Sequence, residues 1–362
     1  MKRQFLYILV LAAVLALLPQ NAAASGPALT GQLLGELGIV LADPADFSGG
    51  QQLILNLDQF LDSGAVHLRF RGDYALPSGN WALVLDEAYL DYYAADFDLR
   101  LGKQRLNWGT ALQINPTDVI NPVNIADPLD DKLPVFLVNM DYYLNDVWSV
   151  SAAYAPFFTP AINEAPNPLV ELIKPENSFE NGEFALKLSA LGVRGIDLSF
   201  SVYRGREKTP TPIMQQGQPP QAIFRETTIF GADFAGALGD VGLWAEGSVG
   251  LPRAGETVLQ GVAGADYGFE NGLKVMGQFV HKRETEKNNL ILVGLTQAKG
   301  LYEWQIGAIY NLNSKGLLLN PEFSRSLADG IVFTGGLRYF KDSLNLLPKQ
   351  DNQIYSQVSI SF

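Results

Sequence analysis

From residue 29 onward, apolar and polar residues alternate in segments of about ten, separated by Gly, Asn, Asp and Pro. Val66, Leu68, Phe70 and Tyr74 fall on one face of such a segment, and His67, Arg69, Arg71 and Asp73 on the other. The same reading sets Ile196, Leu198, Phe200 and Val202 against Asp197, Ser199, Ser201 and Tyr203, and Tyr302, Trp304, Ile306, Ala308 and Tyr310 against Glu303 and Gln305. A period of two puts alternate side chains on opposite faces of a sheet. A soluble β-sandwich would share that period. Segment lengths near the roughly 9 to 11 residues of a tilted bilayer crossing, with Tyr, Trp and Phe at the segment ends, point instead to a membrane barrel. The pattern predicts strands near 29–40, 51–60, 65–76, 82–93, 96–107, 133–144, 147–156, 182–190, 194–204, 224–236, 241–250, 257–269, 272–282, 289–297, 301–311, 315–325, 330–340 and 352–362. The expected fold is all-β: a single transmembrane antiparallel up-and-down β-barrel of 18 strands, or 16 if two strands within 285–325 merge. Short connections alternate with long ones at 108–132, 157–181, 205–223 and 341–351, as expected of turns on one side of a membrane and loops on the other.

The first residues follow a different pattern. Lys2 and Arg3 precede an unbroken apolar run from Phe5 to Leu18, and Ala22-Ala23-Ala24 offers a small-x-small cleavage site. The run falls short of the roughly 17 to 25 residues that cross a bilayer as a helix. Residues 1–24 are therefore expected to be a cleaved signal peptide, and 25–362 the barrel.

Composition removes several function classes. The formal charge is −12, and no Lys/Arg-rich run is present to neutralise a phosphate backbone, so no nucleic-acid partner is expected. With no Cys, thiolate metal sites, disulfides and thiol nucleophiles drop out. Two His leave little for metal or general-base chemistry, so neither cofactor nor enzymatic activity is expected. His67 reads as a plain lumen residue more readily than as a pH sensor.

The C-terminus places Ile354, Ser356, Val358, Ile360 and Phe362 on one face and ends on the aromatic. This resembles the terminal strand by which Gram-negative outer-membrane barrels are recognised for assembly. The resemblance implies an outer-membrane location, outer-membrane lipid as surroundings, and the barrel-assembly machinery as a partner through Phe362, Ile360 and Val358.

A second motif lies in 96–132: Gly102-Lys103-Gln104-Arg105-Leu106-Asn107-Trp108-Gly109, then Asn115-Pro116-Thr117-Asp118 and Asn121-Pro122, then Asp127-Pro128-Leu129-Asp130-Asp131. It resembles porin-like barrels related to the alginate-export and surface-polysaccharide barrels, in which a Gly-x-Gln-x-x-x-Trp-Gly strand end runs into an Asn-Pro-x-Asp-x-x-Asn-Pro loop. The resemblance implies a channel or a surface-associated barrel and no particular substrate.

A well-specified loop of this length without helix or strand pattern is usually functional or disordered. The expectation is that it folds into the lumen, with Asp118, Asp127, Asp130 and Asp131 facing a basic wall of Arg69, Arg71 and Arg100, as opposed charges do at an ion-selective constriction. The alternative is that these charges cap turns and form internal salt bridges that stiffen the wall. Asp127, Asp130 and Asp131 could suit Ca²⁺, although no EF-hand spacing supports it.

Two positions defy strict alternation. If Leu99 and Leu101 face lipid, so do Lys103 and Arg105, unless a bulge intervenes near Gly102 or both sit at the headgroups. Adjacent Asp86 and Glu87 cannot both point inward on a regular strand.

The expected function is a passage for small hydrophilic solutes, anionic ones included, or saccharides. The alternative is an occluded barrel that binds or anchors exopolysaccharide. A transporter for hydrophobic substrates ranks below both, because residues 25–28 are too few for an N-terminal hatch.

Overall fold

The computed structural model describes residues 26–42, 44–124, 131–161, 170–176, 178–213, 220–344 and 351–362. The expected signal peptide, Asp127 and Asp130 lie outside the described residues. The strands are β1 (Ala28–Val40), β2 (Asp46–Leu61), β3 (Gly64–Leu76), β4 (Trp81–Tyr93), β5 (Phe97–Gln104), β6 (Val135–Tyr143), β7 (Trp148–Ala155), β8 (Glu171–Ile173), β9 (Glu183–Val193), β10 (Ile196–Arg206), β11 (Thr211–Ile213), β12 (Gln221–Ile223), β13 (Glu226–Leu238), β14 (Val241–Pro252), β15 (Val258–Gly268), β16 (Leu273–Arg283), β17 (Lys287–Lys299), β18 (Tyr302–Asn311), β19 (Leu317–Ala328), β20 (Ile331–Lys341) and β21 (Gln353–Ser361).

All but β8, β11 and β12 form one eighteen-stranded antiparallel sheet, each strand paired with its neighbour in this order. The sheet closes on itself where β1 pairs with β21, from Gln32 opposite Ser361 to Val40 opposite Gln353. Beyond the last strand, Phe362 exchanges backbone hydrogen bonds with Gly31 at 2.8 and 3.0 Å, extending the seam. Closure matters because an open edge would leave N–H and C=O groups unsatisfied in hydrocarbon. The stretch 285–325 holds β17, β18 and most of β19 as separate strands, so the count is eighteen.

The predicted faces hold. Phe200 and Trp304 project outward, 61% and 60% exposed, whereas Tyr203 and Ser199 on the opposite parity are 3% exposed. Four strand limits differ from expectation by three residues or more: β2 begins at Asp46 rather than near 51, β5 stops at Gln104 rather than near 107, and β9 and β19 run on to Val193 and Ala328 rather than ending near 190 and 325. The start of β1 and the end of β21 lie at the end with short turns, and the long connections gather at the other end. There β8 pairs parallel to β12 and β12 antiparallel to β11, tying two of the long connections together.

Candidate functional site

The lumen wall built by β2 to β5 is lined with charges that meet one another. His67 on β3 faces Asp58 on β2 at 2.6 Å, and its ring stacks on Tyr89 of β4. Arg100 on β5 holds Asp91, its cross-strand neighbour, through two bonds of 2.6 and 3.0 Å, and lies 4.2 Å above the Tyr89 ring. Arg71 pairs with Asp73 two residues along the same strand at 3.1 Å.

The Asp86–Glu87 conflict is resolved by a β-bulge. Arg69 pairs with Glu87 and Phe70 with Leu85, so Asp86 is the extra residue and the parity of β4 flips across it. Both carboxylates then face inward, toward Arg105, whose guanidinium binds Asp86 at 3.0 and 3.1 Å and stands 3.4 Å from Glu87. Arg69 approaches the same Asp86 at 3.4 Å. Arg105 escapes the alternation because the ladder ends one residue before it; its own N–H donates to Glu87 at 2.9 Å and its Nε to the Lys132 carbonyl. Lys103 keeps the outward parity opposite Ala88, and its ammonium donates to the Leu85 carbonyl. No bulge occurs at Gly102, but a side chain there would meet the Ala88 carbonyl oxygen at 2.2 Å, so only glycine permits β5 to lie this close to β4.

From Arg105 the chain turns into the barrel. Gln104, 1% exposed, donates to the Leu137 carbonyl. Asn121 pins the base of the loop: its side-chain oxygen accepts the Leu106 N–H at 2.8 Å, while its amide donates to the carbonyls of Gln104 and Leu133. Trp108 and Ile120 pack against Val135, Leu137, Ala153, Ala155 and Ala185, which are small or apolar inward positions of β6, β7 and β9. Asp118 pairs with Lys132 at 2.7 Å and lies 8% exposed. Burial pushes its carboxyl up from the ordinary value, against the pull of the Lys132 ammonium.

The tip of this insert reaches a wall six to eight strands further round. Glu246 on β14, 4% exposed, accepts from the backbone N–H of Thr110, Ala111 and Thr117 and from the Thr117 hydroxyl. Gly109 makes that approach possible: its φ is +92°, and a Cβ would stand 2.5 Å from the Glu246 carboxylate. Gln278 on β16 exchanges bonds with the Leu112 backbone at 3.1 and 2.8 Å and accepts from the Trp244 indole at 2.8 Å. Ala111, with Ile114 at its edge, packs into an apolar patch of Trp244, Val262, Val280, Leu290, Leu292 and neighbouring inward residues. The insert is thus fastened by its base to a polar wall and by its tip to an apolar one.

Of the residues singled out in sequence, Arg69 and Asp131 come together, at 3.9 Å. Arg100 is held by Asp91, and Asp118 by Lys132 on its own loop; cross-strand and local partners stand closer to them than any opposed ring. Sequence reasoning missed Glu246, Gln278, Trp244, Lys132 and the insert's use of its own amides. Glu246 had one signal: it is a lone carboxylate at an inward position of a strand otherwise lined by Trp244, Ser248 and Gly250.

A closed eighteen-strand barrel with a loop bound to inward-facing side chains has the architecture of a porin. The chain belongs to the family described as "Protein of unknown function (DUF1302)", whose model matches residues 62–249, a span that includes the insert and Glu246. No curated protein sequence matches it. Among solved structures it is similar to OccD3 (OpdP) of Pseudomonas aeruginosa, with a TM-score of 0.62 at 9% identity over 94% of this chain and 92% of that one. It is similar also to OccAB4 of Acinetobacter baumannii (TM-score 0.59, 8% identity, 95% and 99% covered) and to OccK11 (OpdR) of Pseudomonas aeruginosa (0.59, 6%, 92% and 95%). At such identities the likeness is one of fold.

Proposed function

We propose that the protein is an outer-membrane channel for small hydrophilic solutes, with the insert residues 105–124 as its internal constriction. The observation that carries this reading is the insert's double attachment, by Arg105 and Asn121 at its base and by Glu246 and Gln278 at its tip. A barrel of sixteen to eighteen strands is wide enough for an aqueous lumen, and a segment tied across it sets the narrowest section. The outward apolar face meets outer-membrane lipid, and the strand ending Val358, Ile360, Phe362 serves as the assembly signal. No reaction is part of this reading.

The test is single-channel conductance of refolded protein in a planar bilayer, with the reversal potential under a salt gradient. Stable open steps support the channel, and deletion of 109–120 should enlarge them. Silence from a demonstrably folded barrel overturns it. That outcome favours the occluded, polysaccharide-associated barrel implied by the resemblance of 96–132 to the alginate-export group.

A further inference from the structure

The outward face of the wall changes character at the end where the long connections gather. On β10, Leu198, Phe200 and Val202 are followed on the same parity by Arg204 and Arg206. Thr228 and Glu226 on β13 stand opposite these two, and Leu251 with Arg253, just past the end of β14, continues the rows. An ionised side chain facing hydrocarbon is strongly disfavoured. The three guanidinium groups therefore mark the level at which the wall passes from acyl chains to headgroups.

A groove of about 610 Å³ lies among them, lined by Arg204, Arg206 and Arg253 and edged by Glu180, Asn181 and Gly182. Its charges are unevenly spent. Glu226 receives Arg206 at 3.0 Å and Arg253 at 3.1 Å, and Arg206 also donates to the Phe224 carbonyl and the Asn181 side chain. Arg204 forms no hydrogen bond or ion pair among the described residues, and the Arg253 side chain is 80% exposed. Toward the membrane the groove meets apolar surface. Phe230 and Val249 form the next outward row, and Ala232 and Gly247 the one after. An added Cβ at Gly247 would meet only an ordinary contact at 3.8 Å, so the backbone there lies bare to whatever rests on the wall.

We propose that this groove holds the phosphorylated headgroup of an outer-leaflet lipid, its phosphate on Arg204 and Arg253 and an acyl chain over Phe230, Val249 and the low surface at Gly247. A guanidinium presents paired N–H donors that fit phosphate oxygens. A zwitterionic headgroup carries its own cation and gains less from an uncommitted arginine. Free phosphate would leave the apolar rows unused, and a sugar would set its hydroxyls against Phe230 and Val249. The site belongs to the outside of the barrel and does not depend on conduction.

The probe is diphosphoryl lipid A, compared with phosphatidylcholine, and bound lipid is counted by native mass spectrometry of the folded barrel released from detergent micelles. EDTA is present so that divalent cations do not mediate. Lipid A should bind at least about tenfold tighter than phosphatidylcholine, and the double variant Arg204→Gln, Arg253→Gln should weaken it by about tenfold. Arg325→Gln removes an outward arginine from β19 at the short-turn rim, beside the Tyr302 ring, and should change lipid A binding by less than about twofold. Equal affinity for the two lipids, or an unchanged lipid A affinity in the double variant, overturns the site. Inorganic phosphate at the lipid's own concentration should displace none of it. Equal competition by phosphate would make the groove a plain anion site, equal competition by a polyuronate would make it a saccharide site, and either overturns the lipid. If the double variant does not fold, the two lipids and the competitors on the unaltered protein decide the question.

Discussion

On the β3–β5 side of the lumen the inward positions carry Arg69, Asp86, Glu87, Asp91 and Arg100, and each charge stands against an opposite one. On the β14–β19 side they carry Trp244, Val262, Leu290, Leu292 and Leu318, with Glu246 held by backbone amides rather than by a cation among the described residues. Both walls turn the same kind of apolar face outward, so the membrane does not distinguish them. The polar wall satisfies itself largely through pairs between its own strands and takes Arg105 and Asp131 from the insert. The apolar wall is completed only when the insert supplies N–H donors to Glu246 and aliphatic cover from Ala111 and Ile114. The insert therefore acts as a bridge whose two ends obey different chemistry, and each end can be broken separately.

The largest effect is expected at the polar end. Arg105→Ala leaves Asp86 and Glu87 buried beside a bulge with much of their compensation gone, and should cost about 3–5 kcal/mol in a urea unfolding titration. Methionine at the same position, which keeps the bulk, should do little better, because charge rather than volume is lost.

At the apolar end, Glu246→Ala removes the acceptor of four hydrogen bonds and should weaken attachment of the tip by about 2–3 kcal/mol. The wall itself does not need that carboxylate. Conductance should therefore rise and proteolysis within 109–120 should appear while the unfolding midpoint of the barrel moves little. A fall in conductance would contradict the bridge.

Asn121→Ala tests the base of the insert beside Arg105. It frees the Leu106 N–H and two carbonyls, for about 1–3 kcal/mol, and should broaden single-channel current noise without changing the mean step as much as Glu246→Ala does.

The smallest effect is a titration. Because burial outweighs the attraction of Lys132, the Asp118 carboxyl should titrate above the ordinary carboxylate value in a carbon-13 NMR experiment. Lys132→Met should raise it further, since the ammonium is what holds it down. The sign for stability follows: a carboxyl raised by folding contributes most when protonated, and that contribution is lost as pH rises through its folded value.

Much of the barrel was legible in the residues because alternation is a local property with a period that the backbone enforces. Each strand reports its own two faces, and Phe200 against Tyr203 needed no knowledge of neighbours. The limits of β2 and β5 were less legible: pairing with β1 extends β2 to Asp46, and the turn into the lumen cuts β5 at Gln104. The insert was visible as a loop too well specified to be idle, with Trp108, Asn121 and the prolines in place, but its partners were not. Asp86 and Glu87 could be read only as a conflict, because a bulge is decided by which register the facing strand adopts. Arg105 could be read either way, because its direction depends on where the ladder stops.

The sequence by itself determined a closed, outward-apolar sheet of sixteen to eighteen strands and the place where a long segment leaves it, since both follow from local periodicity and from the demand that backbone groups in hydrocarbon be satisfied. Only the tertiary structure decided that Glu246 and Gln278 receive that segment and that Ala111 and Ile114 cover part of the wall facing it. Those meetings join residues well over a hundred positions apart in the chain, or on wall strands facing a loop, and depend on how the closed cylinder brings its inner faces together.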